Sequence, residues 1–251
     1  MWDNRRLTFP VYLGVGAWSI HPHWVFDALA YFIGFQLYLR MRRRRGDALS
    51  GDARWWMIAA AIAGAAIGSK VLFWFEDPAE TLAHWREPLF LLGGKTVVGA
   101  LVGGLIAVEI AKRRLGITAR TGDLFAVPLA VGIGIGRIGC FLSGLPDRTY
   151  GSPSTMPWAV DFGDGIPRHP TQLYETTFLW LLAAFLARTV ARPHREGDVF
   201  RLFMVGYLAF RLVIDALKPE VRLALGLSAI QWTALAVVVH YRHDVARWLT
   251  K

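Results

Sequence analysis

Residues 132–151 read GIGIGRIGCFLSGLPDRTYG, and the fold turns on how this stretch is understood. Its first half is apolar and punctuated by glycine, as bilayer-embedded helices often are. Arg137 stands in the middle, and past it come Asp147, Arg148 and a turn-forming Gly-Ser-Pro. A charged side chain near a bilayer centre costs ~2.5–3.5 kcal/mol on insertion scales, so Arg137 requires an anion. Function follows from which anion it is.

The surrounding composition agrees with a membrane setting. Of 251 residues, 54% are hydrophobic and only 19% charged, and there are 11 Trp. A soluble domain of this length carries more charge and fewer long apolar runs. The net charge of +9 would point to nucleic acid in a soluble protein. Here the cations fall in short runs between apolar segments, as topology signals do, and no nucleic-acid partner is expected. The single cysteine, Cys140, excludes an internal disulfide framework and offers no zinc cluster; no metal or other cofactor is legible. The first residues carry Arg5 and Arg6, but the apolar run after them is short and no small-x-small site follows, so no cleavable signal is expected.

Seven segments are long and apolar enough to span, at roughly 24–40, 55–75, 93–112, 123–144, 172–191, 199–217 and 228–241. The expectation is an all-α membrane protein, a single seven-helix domain over residues 1–251. Cationic connections hold Arg40, Arg42, Arg43, Arg44, Arg45 and Arg54, then Lys112, Arg113, Arg114 and Arg120, then Arg188, Arg192, Arg195 and Arg201, with Arg242, Arg247 and Lys251 in the tail. The opposite side has fewer, among them Arg5, Arg6, Arg86 and Arg222. That bias places the N-terminus outside and the C-terminus in the cytoplasm. Trp24, Trp55, Trp56, Trp74, Trp158, Trp180 and Trp248 fall near predicted span ends, where the headgroup layer favours them. The outer connection at about 145–171 is the longest, rich in Pro, Gly and Asp, and reads as a lid or acceptor platform.

Four cations fall within spans: Lys70, Lys95, Arg137 and Arg211. Their similar depth below the outer surface predicts one polar cavity open to the outer leaflet. Asp215 follows Arg211 by four residues, so the two share a helical face. It acts either as an ion-pair partner or as a carboxylate that aims the guanidinium at a phosphate. Gly134, Gly136 and Gly139 match G-x-G-x-x-G, but no strand precedes them, so helix packing accounts for them, as it does for Gly99 and Gly103. Gly144 and Gly151 could bring backbone N–H groups to a phosphate. Cys140 has no histidine near it in sequence and reads as buried packing. His169 is either an acid/base group or a tie between the outer loop and the fifth span.

Taken together, GRIGCFLSG (136–144), RHPTQLYE (168–175) and GYLAFRLVIDALKP (206–219) resemble the bacterial prolipoprotein diacylglyceryl transferases. GGKTVVGALVGG (93–104) and HWVFDALAYFIGF (23–35) are similar to that family's third- and first-span motifs. The resemblance implies transfer of a diacylglyceryl group from phosphatidylglycerol to the lipobox cysteine of a prolipoprotein signal peptide, releasing glycerol phosphate. It implies a multi-pass protein of the bacterial cytoplasmic membrane, among membrane lipids, with its site facing the outer leaflet. Arg137 and Arg211 would hold the phosphate, with Asp215 in the acidic position after the second arginine and Lys70 where the family usually has arginine. Asp215, Asp147 and His169 are the candidate bases, and Lys70, Lys95, Gly136, Gly139, Gly144, Gly151 and Arg168 the candidate substrate contacts. Where the family commonly has asparagine this chain has Cys140 and Ser143; Leu145 replaces a glutamate and Val98 a histidine. Two alternatives follow from those departures: a non-catalytic lipid-binding or lipid-moving relative, and a transferase with the same donor and another acceptor.

Overall fold

The computed structural model describes residues 8–15, 18–47, 49 and 51–250. Arg5, Arg6 and Lys251, used above for topology, lie outside the described residues. A short hairpin of β1 (Leu13–Val15) and β2 (Trp18–Ile20), with Leu13 opposite Ile20, leads into α1 (Pro22–Arg45). His21 caps α1 by accepting from the backbone N–H of His23 at 3.3 Å, and Pro22 suits a first turn, where its missing N–H is not needed. Arg42–Arg45 close the helix, where cations oppose the negative end of its dipole.

There follow α2 (Gly51–Glu76), α3 (Pro78–Ala83), α4 (Pro88–Gly93), α5 (Val97–Arg114) and α6 (Asp123–Ser143). A small hairpin, β3 (Val160–Asp161) with β4 (Pro167–Arg168), precedes α7 (Thr171–Val190), α8 (Asp198–Ile214), α9 (Ala229–His240) and α10 (Arg242–Leu249). Every predicted apolar segment is helical. The third begins at Val97 rather than 93, because Thr96 is its cap, accepting from Gly99 N–H at 3.0 Å, and Gly94 is extended. Lys95 therefore sits outside the helix, exposed in the turn before it. Trp180 departs from the span-end pattern: it lies midway along α7.

Among the described residues three helices, α2, α6 and α7, are long and apolar enough to cross a membrane. Only 17% of the apolar window of α2 is buried within the protein, so lipid is what covers the rest of it. The chain is an all-α membrane protein.

Two compact units make up the chain. The first runs to Gly46 and resumes over Gly122–Pro219; there α6 is central and packs against α1, α7 and α8. Two of its glycines allow that approach: a Cβ at Gly139 would sit 2.8 Å from Phe26 Cβ on α1, and one at Gly134 would strike the Trp180 indole on α7. The segment between α6 and α7 is stitched down by backbone bonds, Gly151 N–H to His169 O at 2.9 Å, His169 N–H to Ser152 O at 3.1 Å and Ser152 N–H to Leu217 O at 2.7 Å.

In the second unit, Asp47–Thr121 with Glu220 onward, α2 and α5 run together along Gly64, Gly68, Gly99 and Gly103. A Cβ on Gly68 would stand 2.7 Å from Gly103 Cα, and one on Gly103 2.8 Å from Gly68 Cα, so backbone meets backbone. The predicted packing role of Gly99 and Gly103 is fulfilled there. Gly104 also faces α2, but a Cβ there would meet Ala61 O at 3.4 Å and Ala65 Cβ at 3.7 Å, ordinary contact distances. Gly103→Ala should destabilise the protein by about 1–3 kcal/mol through overpacking, while Gly104→Ala should be close to neutral. Thermal unfolding of both variants in the same detergent checks the contrast.

Candidate active site

Arg137 on α6, Glu175 on α7 and Tyr207 and Arg211 on α8 converge in the interior of the first unit, and each is at most 6% exposed. Glu175 stands between the two guanidinium groups. Its Oε2 is 3.0 Å from Arg137 Nε, at an angle too bent for a hydrogen bond, so the contact is an ion pair. Its Oε1 accepts from the Tyr207 hydroxyl at 2.5 Å and lies 3.7 Å from Arg211 NH1. Arg211 in turn grips Asp215 in a fork, Nε to Oδ2 and NH2 to Oδ1 both at 2.9 Å. Lys218 Nζ adds a third cation contact to Asp215 Oδ1 at 3.1 Å. α8 ends at Ile214, and the single turn Asp215–Leu217 brings the carboxylate back onto Arg211.

The two arginines are unequally filled. Arg211 spends two nitrogens on Asp215, and its NH1 donates to Tyr207 Oη at 3.4 Å. Besides its Nε contact, Arg137 makes only a long NH1 contact to Cys140 Sγ, at 3.9 Å. Among the described residues no other side chain or carbonyl bonds its guanidinium. Gln172, one turn before Glu175 on the same face of α7, is 1% exposed with neither amide oxygen nor nitrogen partnered among the described residues. Buried polar groups are nearly always bonded, so an open guanidinium edge and an open amide in one interior mark a ligand site.

On the other side of Cys140, α1 delivers His23 and the turn after α6 delivers Asp147. His23 Nε2 bonds directly to Asp147 Oδ1, and Thr149 Oγ1 donates to Asp147 Oδ2. Cys140 is part exposed rather than the buried packing expected, and a histidine does lie beside it in space. Burial pushes the Asp147 carboxyl upward, but hydrogen bonds from His23 and Thr149, with Arg137 nearby, outweigh it and hold the group below the usual carboxylate range.

The remaining predicted residues have other duties. Asp215 is wholly buried against Arg211 and Lys218, where it balances their charge and fixes the Arg211 guanidinium. His169 contacts the Tyr174 hydroxyl at 3.2 Å, which also accepts from Trp158 Nε1 at 2.6 Å, so it does tie the outer loop to the start of α7. Arg168 forks onto Asp164, both bonds 2.7 Å, and its guanidinium lies 5.0 Å from the Tyr150 ring centroid. Those bonds hold Asp164 down to about 2 and brace the β3–β4 hairpin. The N–H groups of Gly144 and Gly151 are already donated to Phe141 O and His169 O, so the phosphate role expected of them is occupied. Gly144 instead supplies a φ of +70° for the helix end. Gly139 is a packing glycine, whereas a Cβ at Gly136 would find only Asp27 Oδ1, at 3.8 Å. Lys70 and Lys95 belong to the second unit, where Lys70 Nζ donates to the carbonyls of Leu92, Gly93 and Gly94.

Sequence reading passed over Glu175, Tyr207, Gln172 and His23. Glu175 had a signal, being an acid inside an apolar segment with two buried arginines to balance; His23 and Asp147 are 124 residues apart and had none.

The fold and this interior define an all-α membrane protein built around a buried arginine–carboxylate cluster in which part of the Arg137 guanidinium is unbonded among the described residues. The chain matches the prolipoprotein diacylglyceryl transferase family over residues 10–242 and belongs to that family. A Bordetella bronchiseptica protein named phosphatidylglycerol–prolipoprotein diacylglyceryl transferase is 34% identical over 247 residues, covering 92% of this chain and 91% of the relative. Like-named proteins of Rhodospirillum rubrum, at 33% identity over 92% of this chain and 88% of the relative, and of Glaesserella parasuis, at 29% over 97% and 99%, are similar along their lengths as well.

Among the described residues Glu175 is the carboxylate that pairs with Arg137, whereas Arg211 keeps Asp215, so its removal leaves one buried guanidinium uncompensated, a change that costs about 3–5 kcal/mol. Glu175→Ala should therefore lower the unfolding midpoint more than Tyr207→Phe, which withdraws the bond to Glu175 and the long one accepted from Arg211, together worth about 1–3 kcal/mol; calorimetry in detergent compares them. Asp147 behaves as a depressed carboxylate: its contribution is present above its unfolded pKa of about 3.9 and is lost as pH falls through the lower folded value. Below about pH 4 the turn at 145–149 should loosen, seen as faster hydrogen exchange there, and Asp147→Asn should remove that acid-dependent change.

Proposed function

We propose that this chain transfers a diacylglyceryl group from phosphatidylglycerol to an acceptor thiol, the lipobox cysteine of a prolipoprotein. The reading places it in the bacterial cytoplasmic membrane with seven spans, the N-terminus outside and the site facing the outer leaflet. Arginine-rich ends such as Arg42–Arg45 support that orientation, because such ends remain in the cytoplasm. The observation that carries the reaction is the incompletely filled guanidinium edge of Arg137, buried yet held among the described residues only by the Nε pair with Glu175 and a long NH1 contact to Cys140.

The donor phosphodiester is a monoanion that fits this edge, since planar N–H pairs match phosphate oxygens. The amide of Gln172 supplies both a donor and an acceptor for the hydroxyls of the glycerol headgroup. Glu175 and Asp215 fix the two guanidinium groups in place before the lipid arrives, so little reorganisation accompanies the reaction. The acceptor sulfur enters from the Cys140 side and gives up its proton. A carbon–sulfur bond forms at the lipid glycerol carbon, the carbon–oxygen bond to phosphate breaks, and glycerol phosphate leaves with the electron pair. Charge gathers on the phosphate oxygens as that bond lengthens, where Arg137 counters it and Arg211 reinforces from behind.

Labelled phosphatidylglycerol incubated with the protein, with and without a lipobox peptide, tests this. Glycerol phosphate should be released only with the peptide, and Arg137→Lys should slow release by about 10²–10³-fold while the protein remains folded. Lipid binding with no release under any condition would identify a lipid-binding relative instead. Release that requires some acceptor other than the peptide would keep the donor and replace the acceptor.

A further inference from the structure

We propose that His23, Cys140 and Asp147 form a zinc site beside the lipid phosphate. The three come from different parts of the first unit: the first turn of α1, the last turn of α6 and the turn that follows it. Their Nε2, Sγ and carboxylate oxygen all lie within 4.8 Å of one another. Atoms bound to one zinc at about 2.0–2.3 Å stand roughly 3.3–3.8 Å apart, so small side-chain rotations close the cluster around an ion. His23 Nε2 and Asp147 Oδ1, now bonded to each other, part to admit it. A set of imidazole, thiolate and carboxylate suits zinc, whereas magnesium and calcium prefer oxygen alone.

Groups outside the ligands are arranged as metal sites require. The other ring nitrogen of His23, Nδ1, is buried with no hydrogen-bond partner among the described residues, and Asp27 Oδ2 lies 3.8 Å from it. A histidine that binds metal through one nitrogen characteristically donates its other N–H to a carboxylate, which fixes the ring and raises its basicity. Asp27 is four residues along α1, on the same face, and a modest shift completes that bond. Thr149 holds the second oxygen of Asp147, leaving the first for the ion. Charge closes too: zinc with one thiolate and one carboxylate is neutral, so the ion adds no net repulsion to Arg137, whose NH1 is 3.9 Å from the sulfur.

Three protein ligands leave the fourth tetrahedral position for a substrate atom. Resting on the thiol-transfer reading, that atom is the acceptor sulfur. It loses its proton to solvent on binding zinc, stays nucleophilic as a bound thiolate, and attacks the lipid glycerol carbon while Arg137 holds the departing phosphate. Zinc is neither oxidised nor reduced. The product thioether is a weaker ligand than the thiolate and leaves.

The full-length protein, purified in detergent and stripped of metal, should take up one zinc per chain on dialysis. Cobalt in its place should show a thiolate-to-metal charge-transfer band that Cys140→Ser abolishes. Asp147→Asn should weaken zinc by at least about 10-fold. No stoichiometric uptake, or uptake that both substitutions leave intact, overturns the site and identifies the three residues as a hydrogen-bonded cluster. Glycerol phosphate release that falls on metal removal and returns with zinc supports thiol activation. Undiminished release from metal-free protein overturns that role and leaves the transferase reading standing; zinc uptake without any release does the reverse.

Discussion

One carboxylate shared by two buried guanidinium groups governs the first unit. Glu175 meets Arg137 from α6 and Arg211 from α8, so three helices are obliged to keep one arrangement. The desolvation cost of such charges exceeds the gain from any single pair, and only a network that satisfies them together is tolerable in an apolar interior. Tyr207 and Asp215 are parts of that network, one bonding Glu175 and the other filling most of Arg211. What is left over is the part of the Arg137 guanidinium that Glu175 does not meet, and the proposed reaction is built on it.

Packing and site are linked through the glycines of α6. Gly134 admits Trp180 and Gly139 admits Phe26, so α7 and α1 approach close enough to deliver Glu175 on one flank of Arg137 and His23 on the other. A motif that reads formally as a nucleotide loop is thus a means of bringing helices together. The Thr176 hydroxyl bonds Gly134 O at 3.1 Å, tying α7 to α6 at the same level.

The helices were legible because apolar runs of spanning length are a strong signal, and their cationic ends reinforced it. Arg137 and Arg211 were legible for the converse reason, being charges where charge is costly. What sequence could not convey was pairing. The demand of Arg137 for an anion was read as a demand for lipid, yet Glu175 meets part of it from another helix. A spacing of four residues conveyed that Asp215 faces Arg211, but not that it forks onto Nε and NH2 with Lys218 behind. Cys140 was read without its neighbours because proximity to His23 is created by tertiary folding alone.

The segment between α6 and α7 is held by main-chain atoms: Gly151 to His169, His169 to Ser152, Ser152 to Leu217. Bonds of that kind do not depend on which side chains the segment carries. Apart from the ties made by Trp158, Asp164, Arg168 and His169, its course over the protein therefore depends little on its composition, and exposed positions such as Met156 and Ile166 are free to diverge without moving Arg137 or Asp147. On the proposed function, preference for one acceptor over another can evolve on this surface while the arginine–carboxylate interior stays as it is.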